Sequence, residues 1–174
     1  CDESKIECQL LPPITADGSI VSSSRIRELI RRGNLIPASR LLGRQYSISG
    51  IVEHGNKRGR SIGFPTANVH PQAIGNETLC LPPNGVYLSS TTIANGGGTY
   101  PSISNIGYRP TVVDESPLVL ETHLLDYEGD LYEKFISVEF RDSIRSEMKF
   151  PSIGELIQQI QRDISLARQK LKAK

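Results

Sequence analysis

The sequence lacks the features that mark exported or membrane-bound proteins. No run approaches the roughly 18 apolar residues of a membrane span, and no charged-then-apolar signal segment opens the chain. Only three cysteines occur in 174 residues, Cys1, Cys8 and Cys80. Their number is odd, they are widely spaced, and they lack the paired spacing of metal ligands. The sequence therefore predicts a protein of the reducing cytoplasm, without a membrane partner.

Aromatic residues and net charge are also scarce. The chain has six Tyr, four Phe and no Trp, and its 20 Lys and Arg nearly balance 19 Asp and Glu. Such a balance favours neither nucleic acid nor an acidic surface as a partner. Gly (15) and Pro (11) are plentiful, which favours many turns. The length suits one domain with an appended fragment, and the first residue, Cys rather than Met, predicts a piece cut from a longer protein.

Residues 1–44 are interpreted as the end of an upstream unit. Two short helices are predicted there: Ser23 or Ser24 caps the first, Gly33 ends it, and Gly43 follows the second. Residues 21–44 carry six arginines and one acidic residue. This cluster either binds a polyphosphate or forms a solvated helix face, and charge alone favours the solvated face.

From Tyr46 the sequence changes to short strands and turns. Strand candidates are YSISGIVEH, GVYLSSTTI, YPSISNI, LVLETHLLDY and KFISVEF, and they are separated by the turn sequences PPNG, NGGG and EGD. Successive strands without intervening helices predict an antiparallel barrel or sandwich. Ser152 and Glu155 then form a capping-box pattern, followed by an apolar stripe that we expect to pack on the barrel: Ile153, Ile157, Ile160, Ile164, Ala167 and Leu171.

The stretch GRSIGFPTAN, residues 59–68, is a candidate phosphate site. Gly59 and Gly63 within it, and Gly55 just before it, leave little side-chain bulk, so backbone N–H groups can approach phosphate oxygens. It lacks the ending of a P-loop and the glycine spacing of a dinucleotide fingerprint. Glycine spacing alone leaves a phosphate cradle and a flexible connection equally open.

Two side chains near the end of this stretch suit a hard cation. Thr66 and Asn68 lie two residues apart, so they share a face in an extended segment, and their oxygens suit Mg²⁺ held together with phosphates. The alternative is that both bond to local backbone. Glu121 in LVLETHLLD is either a carboxylate half-enclosed by aliphatic neighbours, able to accept a proton, or a solvent-facing strand residue. His123 on the same face is assigned no catalytic role.

Together and in this order, several segments resemble the riboflavin kinase family, in particular the kinase half of bacterial bifunctional FAD synthetases. The segments are LLGRQYSISGIVEHGNKRGRSIGFPTAN, LPPNGVY, SNIGYRPT, LETHLLDYEGDLY, VEFRDSIRSEMKF and the helix from Ser152. Upstream, VSSSRIRELIRRGNLIPASRLLGR is similar to the closing motif of the family's adenylyltransferase domain. The resemblance thus divides the chain into a remnant over residues 1–44 and a riboflavin kinase domain over 45–174.

The resemblance implies a mainly β fold, a six-stranded antiparallel Greek-key barrel with a C-terminal helix. It also implies transfer of the ATP γ-phosphate to the riboflavin 5′-hydroxyl, with Mg²⁺ as cofactor and with riboflavin, FMN, ATP and ADP as the molecules bound, in a monomeric domain. By position, Glu121 is the implied general base and Thr66 and Asn68 the implied metal ligands. The residues implied for ATP and its phosphates are Gly55, Gly59, Arg60, Gly63, Pro65, Thr66 and Asn105, and those for flavin are Arg145, Glu147 and Phe150.

Three alternatives remain at this point. A non-catalytic flavin-binding barrel would need Thr66, Asn68 or Glu121 to be changed, and all three are present. A nucleic-acid-binding barrel would show exposed aromatic residues among basic ones, which the Trp-free barrel region does not. An FMN adenylyltransferase fits the upstream motif, but the remainder of that domain is not in this sequence; the resemblance predicts both activities for the longer protein.

Overall fold

A computed structural model describes residues 9, 11–16, 18–55, 58–71, 79–108 and 118–172. Its elements in chain order are β1 (Thr15–Ala16), β2 (Ser19–Ile20), α1 (Ser23–Arg31), α2 (Leu35–Leu42), β3 (Tyr46–Glu53), α3 (Arg58–Ser61), β4 (Ala67–Pro71), β5 (Gly85–Ile93), β6 (Gly98–Tyr108), β7 (Leu118–Leu124), β8 (Phe135–Ser146) and α4 (Ile153–Lys172). Cys1 and Cys8 lie outside the described residues. Cys80 forms no disulfide within the described part.

Strands β3 to β8 form a closed antiparallel barrel in the order β3-β4-β7-β6-β5-β8, and β8 pairs with β3 to close it. Strands β5, β6 and β7 follow one another as neighbours, and β8 returns to lie beside β5. This order, with the fourth strand beside the first of three, is a Greek key. The predicted six-stranded antiparallel Greek-key barrel with a C-terminal helix is confirmed.

The side chains of alternate residues in each strand fill the barrel interior. Phe140, Ile136 and Val138 of β8 have no exposed surface. The ring of Phe140 meets that of Tyr46 at 6.0 Å and the edge of Tyr87 at 5.6 Å between centroids. Aromatic pairs at such spacings add to the free energy gained by burial. These contacts join β3, β5 and β8 at one end of the barrel.

Both N-terminal helices end as predicted, but the first begins differently. The side chain of Ser22, not of Ser23 or Ser24, caps α1 by accepting a hydrogen bond from the Arg25 N–H at 3.3 Å. Ser22 has the extended backbone that an N-cap requires, whereas Ser23 is already helical. Gly33 (φ +76°) and Gly43 (φ +73°) adopt the left-handed conformation that follows a helix end.

Helices α1 and α2 pack on the barrel. Ile30, Leu35 and Ala38 are buried in the same hydrophobic cluster as Tyr46. The Tyr46 hydroxyl donates to the Cys80 carbonyl, and the Cys80 thiol donates to the Arg27 carbonyl at 3.5 Å. Burial raises the pKa of the Tyr46 phenol well above its usual value, so it stays a donor. The division of the chain at residue 45 remains a prediction.

Helix α4 begins at its predicted cap, where Ser152 Oγ accepts from the Glu155 N–H at 3.2 Å. The predicted apolar stripe is half-buried or buried from Ile157 onward, whereas Ile153 is 66% exposed. Two exposed ion pairs tie its last turns to the barrel: Arg168 with Asp126 and Lys170 with Asp142. Within the described residues, no helix is both long and apolar enough to cross a membrane.

Phe140→Ala is expected to lower the free energy of unfolding by about 3–5 kcal/mol, because it leaves a cavity among closely packed rings. Phe135→Ala, on the same strand but 41% exposed, is the matched control and should cost about 1 kcal/mol or less. Urea unfolding followed by circular dichroism measures both. Equal losses for the two variants would contradict the packing described above.

Candidate functional site

One row of side chains crosses five strands on the outer face of the barrel. Asn68 of β4 lies opposite Glu121 of β7, which lies opposite Asn105 of β6. Asn105 in turn lies opposite Val86 of β5, and Val86 opposite Arg145 of β8. Directly opposed residues in an antiparallel pair share a face, with Cβ atoms about 4.5–5.5 Å apart. The closed barrel therefore places two amides, a carboxylate and a guanidinium in line.

A cavity of about 640 Å³ opens over this row, between the barrel wall and α4. Polar groups lie along the barrel side, and apolar side chains from α4 and the segment before it lie opposite. Its lining consists of Gly59, Ile62, Phe64, Thr66, Asn68, Val86, Ile103, Asn105, Glu121, His123, Arg145, Glu147, Met148, Phe150, Leu156, Ile160, Asp163 and Ile164. A ligand with both an apolar part and polar or charged groups matches such a lining.

Most residues proposed from the sequence as a site meet in this cavity. Those that line it are Gly59, Thr66, Asn68, Asn105, Glu121, Arg145, Glu147 and Phe150. Gly55 lies behind it, where a Cβ would stand 2.2 Å from Asn68 Nδ2, so only glycine leaves room for the amide. Pro65 does not line it, but its carbonyl accepts a hydrogen bond from His123, which does. Arg60 and Gly63 are exposed and do not line it.

The glycine loop folds back on itself to bring Thr66 beside Gly59. The Phe64 N–H donates to the Gly59 carbonyl at 2.8 Å, and Gly63 turns the chain with φ +87°. A Cβ at Gly59 would lie 2.4 Å from the Phe64 oxygen and 3.0 Å from Thr66 Oγ1. Any larger residue at position 59 would force this turn apart, which explains glycine there.

His123 fastens the end of this loop. Its Nδ1–H donates to the Pro65 carbonyl at 2.8 Å, which fixes the tautomer because a carbonyl can only accept. Its ring also meets Phe64 edge-on, with centroids 6.0 Å apart. The residue thus holds Pro65 and Phe64 against β7, two positions from Glu121.

Asp163 is a cavity residue that the sequence interpretation missed. Its side chain, 5% exposed, accepts from Arg145 Nε at 2.9 Å and from Gln159 Nε2 at 2.8 Å. The Arg145 guanidinium also lies 5.6 Å from the centre of the Phe150 ring. A signal was available: position 163 falls three residues after Ile160 and four before Ala167, on the apolar stripe, where an acidic residue needs a buried partner.

The donors in the cavity suit a hard cation that also binds phosphate. Thr66 offers a hydroxyl, Asn68 an amide oxygen and Glu121 a carboxylate. Within the described residues, no group of three or more His, Cys, Asp or Glu side chains is placed to hold a metal ion alone. Magnesium commonly takes few protein ligands and completes its shell with water and phosphate oxygens. The oxygen donors present therefore fit a magnesium ion held together with phosphate oxygens.

Comparisons with known proteins give one consistent family. A model described as Flavokinase: Riboflavin kinase matches residues 42–171. The bifunctional riboflavin kinase/FMN adenylyltransferase of Bacillus subtilis is 40% identical over 163 residues, which cover 92% of this chain and 50% of that protein. The Escherichia coli K12 protein of the same name is 42% identical over 152 residues, covering 87% and 46%. The chain spans about half the length of the curated relatives it matches.

Solved structures agree on the fold. A structure named as a macrolide-efflux protein from Streptococcus pneumoniae is 34% identical with a TM-score of 0.79, covering 91% of this chain and 50% of that one. The riboflavin kinase of Trypanosoma brucei is 22% identical with a TM-score of 0.52, covering 72% of this chain and 76% of that one. At that identity the second likeness concerns the fold alone.

Asp163→Asn is expected to lower the free energy of unfolding by on the order of 3 kcal/mol, because it leaves the Arg145 guanidinium without a charged partner in a largely buried place. Asp126→Asn is the matched control, since it breaks the exposed pair with Arg168 and should leave the urea midpoint nearly unchanged. Parallel urea titrations measure both. An unchanged midpoint for Asp163→Asn would show that the buried pair does not hold α4.

Proposed function

The chain belongs to the riboflavin kinase family, and we propose that it transfers the γ-phosphoryl group of ATP to the 5′-hydroxyl of riboflavin, giving FMN and ADP. The predicted family and the predicted class, an enzyme that acts as a transferase, are confirmed by the match over residues 42–171. The observation that carries the proposed chemistry is the row in which Glu121 stands between Asn68 and Asn105 within one cavity.

In this proposal Glu121 is the general base. An alcohol is a weak nucleophile at neutral pH, and a carboxylate that takes its proton contributes about 10²–10⁴-fold to the rate. Glu121 is half-buried, and its neighbours across the sheet on both sides are amides, Asn68 and Asn105. Amide groups orient a hydroxyl or a phosphate without competing for the proton. The flavin hydroxyl would therefore approach β7 from the α4 side.

The phosphates of ATP would lie at the other end of the row, against the glycine loop. The turn from Gly59 to Thr66 presents little side-chain bulk, and Thr66 and Asn68 supply oxygen ligands beside it. When bound, Mg²⁺ would neutralise charge on the terminal phosphates. Positioning and charge neutralisation dominate phosphoryl transfer, so the fixed turn and its His123 anchor matter more than any covalent step.

The isoalloxazine ring would occupy the apolar side of the cavity. That side is built from Met148, Phe150, Leu156 and Ile160, and Arg145 and Glu147 stand at its edge. A flat, largely apolar ring binds best in an enclosed slot with a few polar groups. Glu147 accepts from Asn84 Nδ2 at 3.4 Å, which keeps its carboxylate at the rim. Arg145 is held by Asp163 and so presents a fixed edge.

We further propose that the full-length protein also has FMN adenylyltransferase activity, as the curated relatives are named for both. The arginine-rich stretch over residues 21–44, similar to the closing motif of such a domain, supports this. A cytoplasmic location and a monomeric state remain predictions from the sequence. A flavin-binding module without turnover is the alternative, and the turnover experiment below separates the two.

Glu121→Gln is expected to lower kcat for FMN formation about 10²–10⁴-fold with little change in substrate affinity, because the amide cannot accept the proton. Fluorescence-detected chromatography of FMN, with ATP and Mg²⁺ in excess, measures the rate. Glu53→Gln is the matched control: it removes the same charge from an exposed residue of β3 that does not line the cavity, and should keep full activity.

The wild-type chain decides the proposed function in the same assay. Absence of FMN from the folded wild type, with riboflavin still bound, would favour the flavin-binding module. Near-normal turnover in Glu121→Gln would leave the kinase in place and remove Glu121 as its base.

Thr66→Ala is expected to raise the Mg²⁺ concentration that gives half-maximal rate, because one hard oxygen ligand is lost. A titration of Mg²⁺ at saturating ATP and riboflavin measures the shift. Thr99→Ala removes an equivalent hydroxyl from an exposed cross-strand pair with Thr92 and serves as control. A titration curve identical to that of the wild type would refute the assignment of Thr66 as a ligand.

A further inference from the structure

Five hydroxyl groups lie buried inside the barrel, directly behind the cavity. They belong to two residues each of β5 and β6 and one of β7, and none has exposed surface: Ser89, Thr91, Ser102, Ser104 and Thr122. Buried hydroxyls must be hydrogen-bonded to be tolerated, and an aliphatic side chain would fill the same space without that requirement. Their presence in an otherwise hydrophobic interior calls for a physical reason.

The five groups form a closed hydroxyl ring. Around it the oxygen–oxygen distances are 2.8 Å from Ser104 to Thr122, 3.3 Å from Thr122 to Thr91, 2.7 Å from Thr91 to Ser102, 2.7 Å from Ser102 to Ser89 and 2.7 Å from Ser89 to Ser104. Five hydroxyls have five protons, one for each bond. Each hydroxyl can therefore donate once and accept once within the ring, which satisfies all five. Hydroxyl groups linked in this way polarise one another, and each hydrogen bond strengthens the next.

The hydroxyl ring stands back to back with the candidate site. Thr122 lies between Glu121 and His123, and Ser104 lies between Ile103 and Asn105. Successive side chains of a strand point to opposite faces. The ring members therefore face inward where their neighbours, all cavity residues, face outward. Whatever fixes Thr122 and Ser104 along their strands also fixes Glu121 and Asn105.

The ring closes in one strand register alone. A slip of one residue would turn the hydroxyls outward and Glu121 inward. A slip of two would keep the faces but bring Leu120 or Leu124 to the place of Thr122. Ser104 and Thr91 would then each lose a hydrogen-bond partner while fully buried, which is costly. Aliphatic side chains in the same places would oppose a two-residue slip less strongly. One aliphatic side chain can replace another of similar volume, whereas a hydroxyl needs a hydrogen-bond partner at a particular position.

We propose that the hydroxyl ring positions β7 against β5 and β6, and thereby sets the place of Glu121 relative to Asn105. The inference rests on the proposed function only for its kinetic test. On the other side of β7 the described pairing with β4 covers just Ala67, Asn68 and Val69, so the alignment of Glu121 depends mainly on β6. Thr122 and Ser104 are thus positioning residues that act through their neighbours.

Thr122→Val tests the proposal, because it keeps the shape of the side chain and opens the ring. We expect kcat for FMN formation to fall about tenfold while KM for ATP and riboflavin changes less than about threefold, since small misplacements of a reacting group are felt mainly in the chemical step. Thr122→Ser restores the hydroxyl and should recover most of the rate. Thr92→Val is the control: it removes a hydroxyl from the neighbouring, outward side of β5, where Thr92 bonds Thr99.

A second measurement does not require turnover. In the ligand-free protein, the side-chain amide NMR signals of Asn105 should shift in Thr122→Val and stay in place in Thr122→Ser and Thr92→Val. A wild type without kinase activity but with this pattern would overturn the proposed function and keep the ring inference. Wild-type kinetics and unmoved Asn105 signals in Thr122→Val would overturn the ring inference and keep the proposed function.

If Thr122→Val fails to fold, a second variant, Ser89→Ala, tests the same proposal. This variant opens the same ring from β5, away from Glu121, with the smallest loss of volume. All rates are compared at a temperature well below each variant's melting temperature, so that unfolding of a less stable variant does not lower the measured kcat. A kcat reduced at least about threefold supports the ring as a unit. An unchanged kcat and unmoved Asn105 signals overturn it.

Discussion

The alternation of side chains across a closed antiparallel barrel is the constraint on which the rest of this structure depends. Closure leaves every strand paired on both edges, so each residue faces either a shared interior or a shared outer surface. The interior holds Phe140 and the hydroxyl ring, and the outer surface holds the row through Glu121. A single register therefore determines both core packing and site geometry.

Sequence patterns predicted the fold well where local signals and tertiary structure agree. The run GVYLSSTTI coincides with β5, and the NGGG turn forms the tip of the β5–β6 hairpin, where Asn95 and Gly96 have positive φ. Strand β4 was not among the predicted strands because its five residues follow Pro65 and gain their pairing from distant strands. The four-residue α3 was missed for a related reason: it is a single turn shaped by the glycine loop around it.

The site was predictable in its residue types and less so in its arrangement. The two-residue spacing of Thr66 and Asn68 correctly indicated a shared face. That Asn68 lies opposite Glu121 could not be predicted, because it depends on how far the intervening strands slide before they pair. Arg60, which the resemblance implies for the phosphates of ATP, is exposed and does not line the cavity.

The two arginine-rich helices bear on how far the barrel is a separable module. Ile30, Leu35 and Ala38 complete the hydrophobic cluster around Tyr46, and Tyr46 reaches α1 through Cys80. A chain shortened to begin at residue 45 would uncover that apolar surface and lose the partners of the cluster. The resemblance places the helices at the end of another unit, and their apolar side chains also belong to the barrel's hydrophobic cluster. A gene fusion or excision at this point would keep the hydrophobic cluster intact only if its boundary preceded α1.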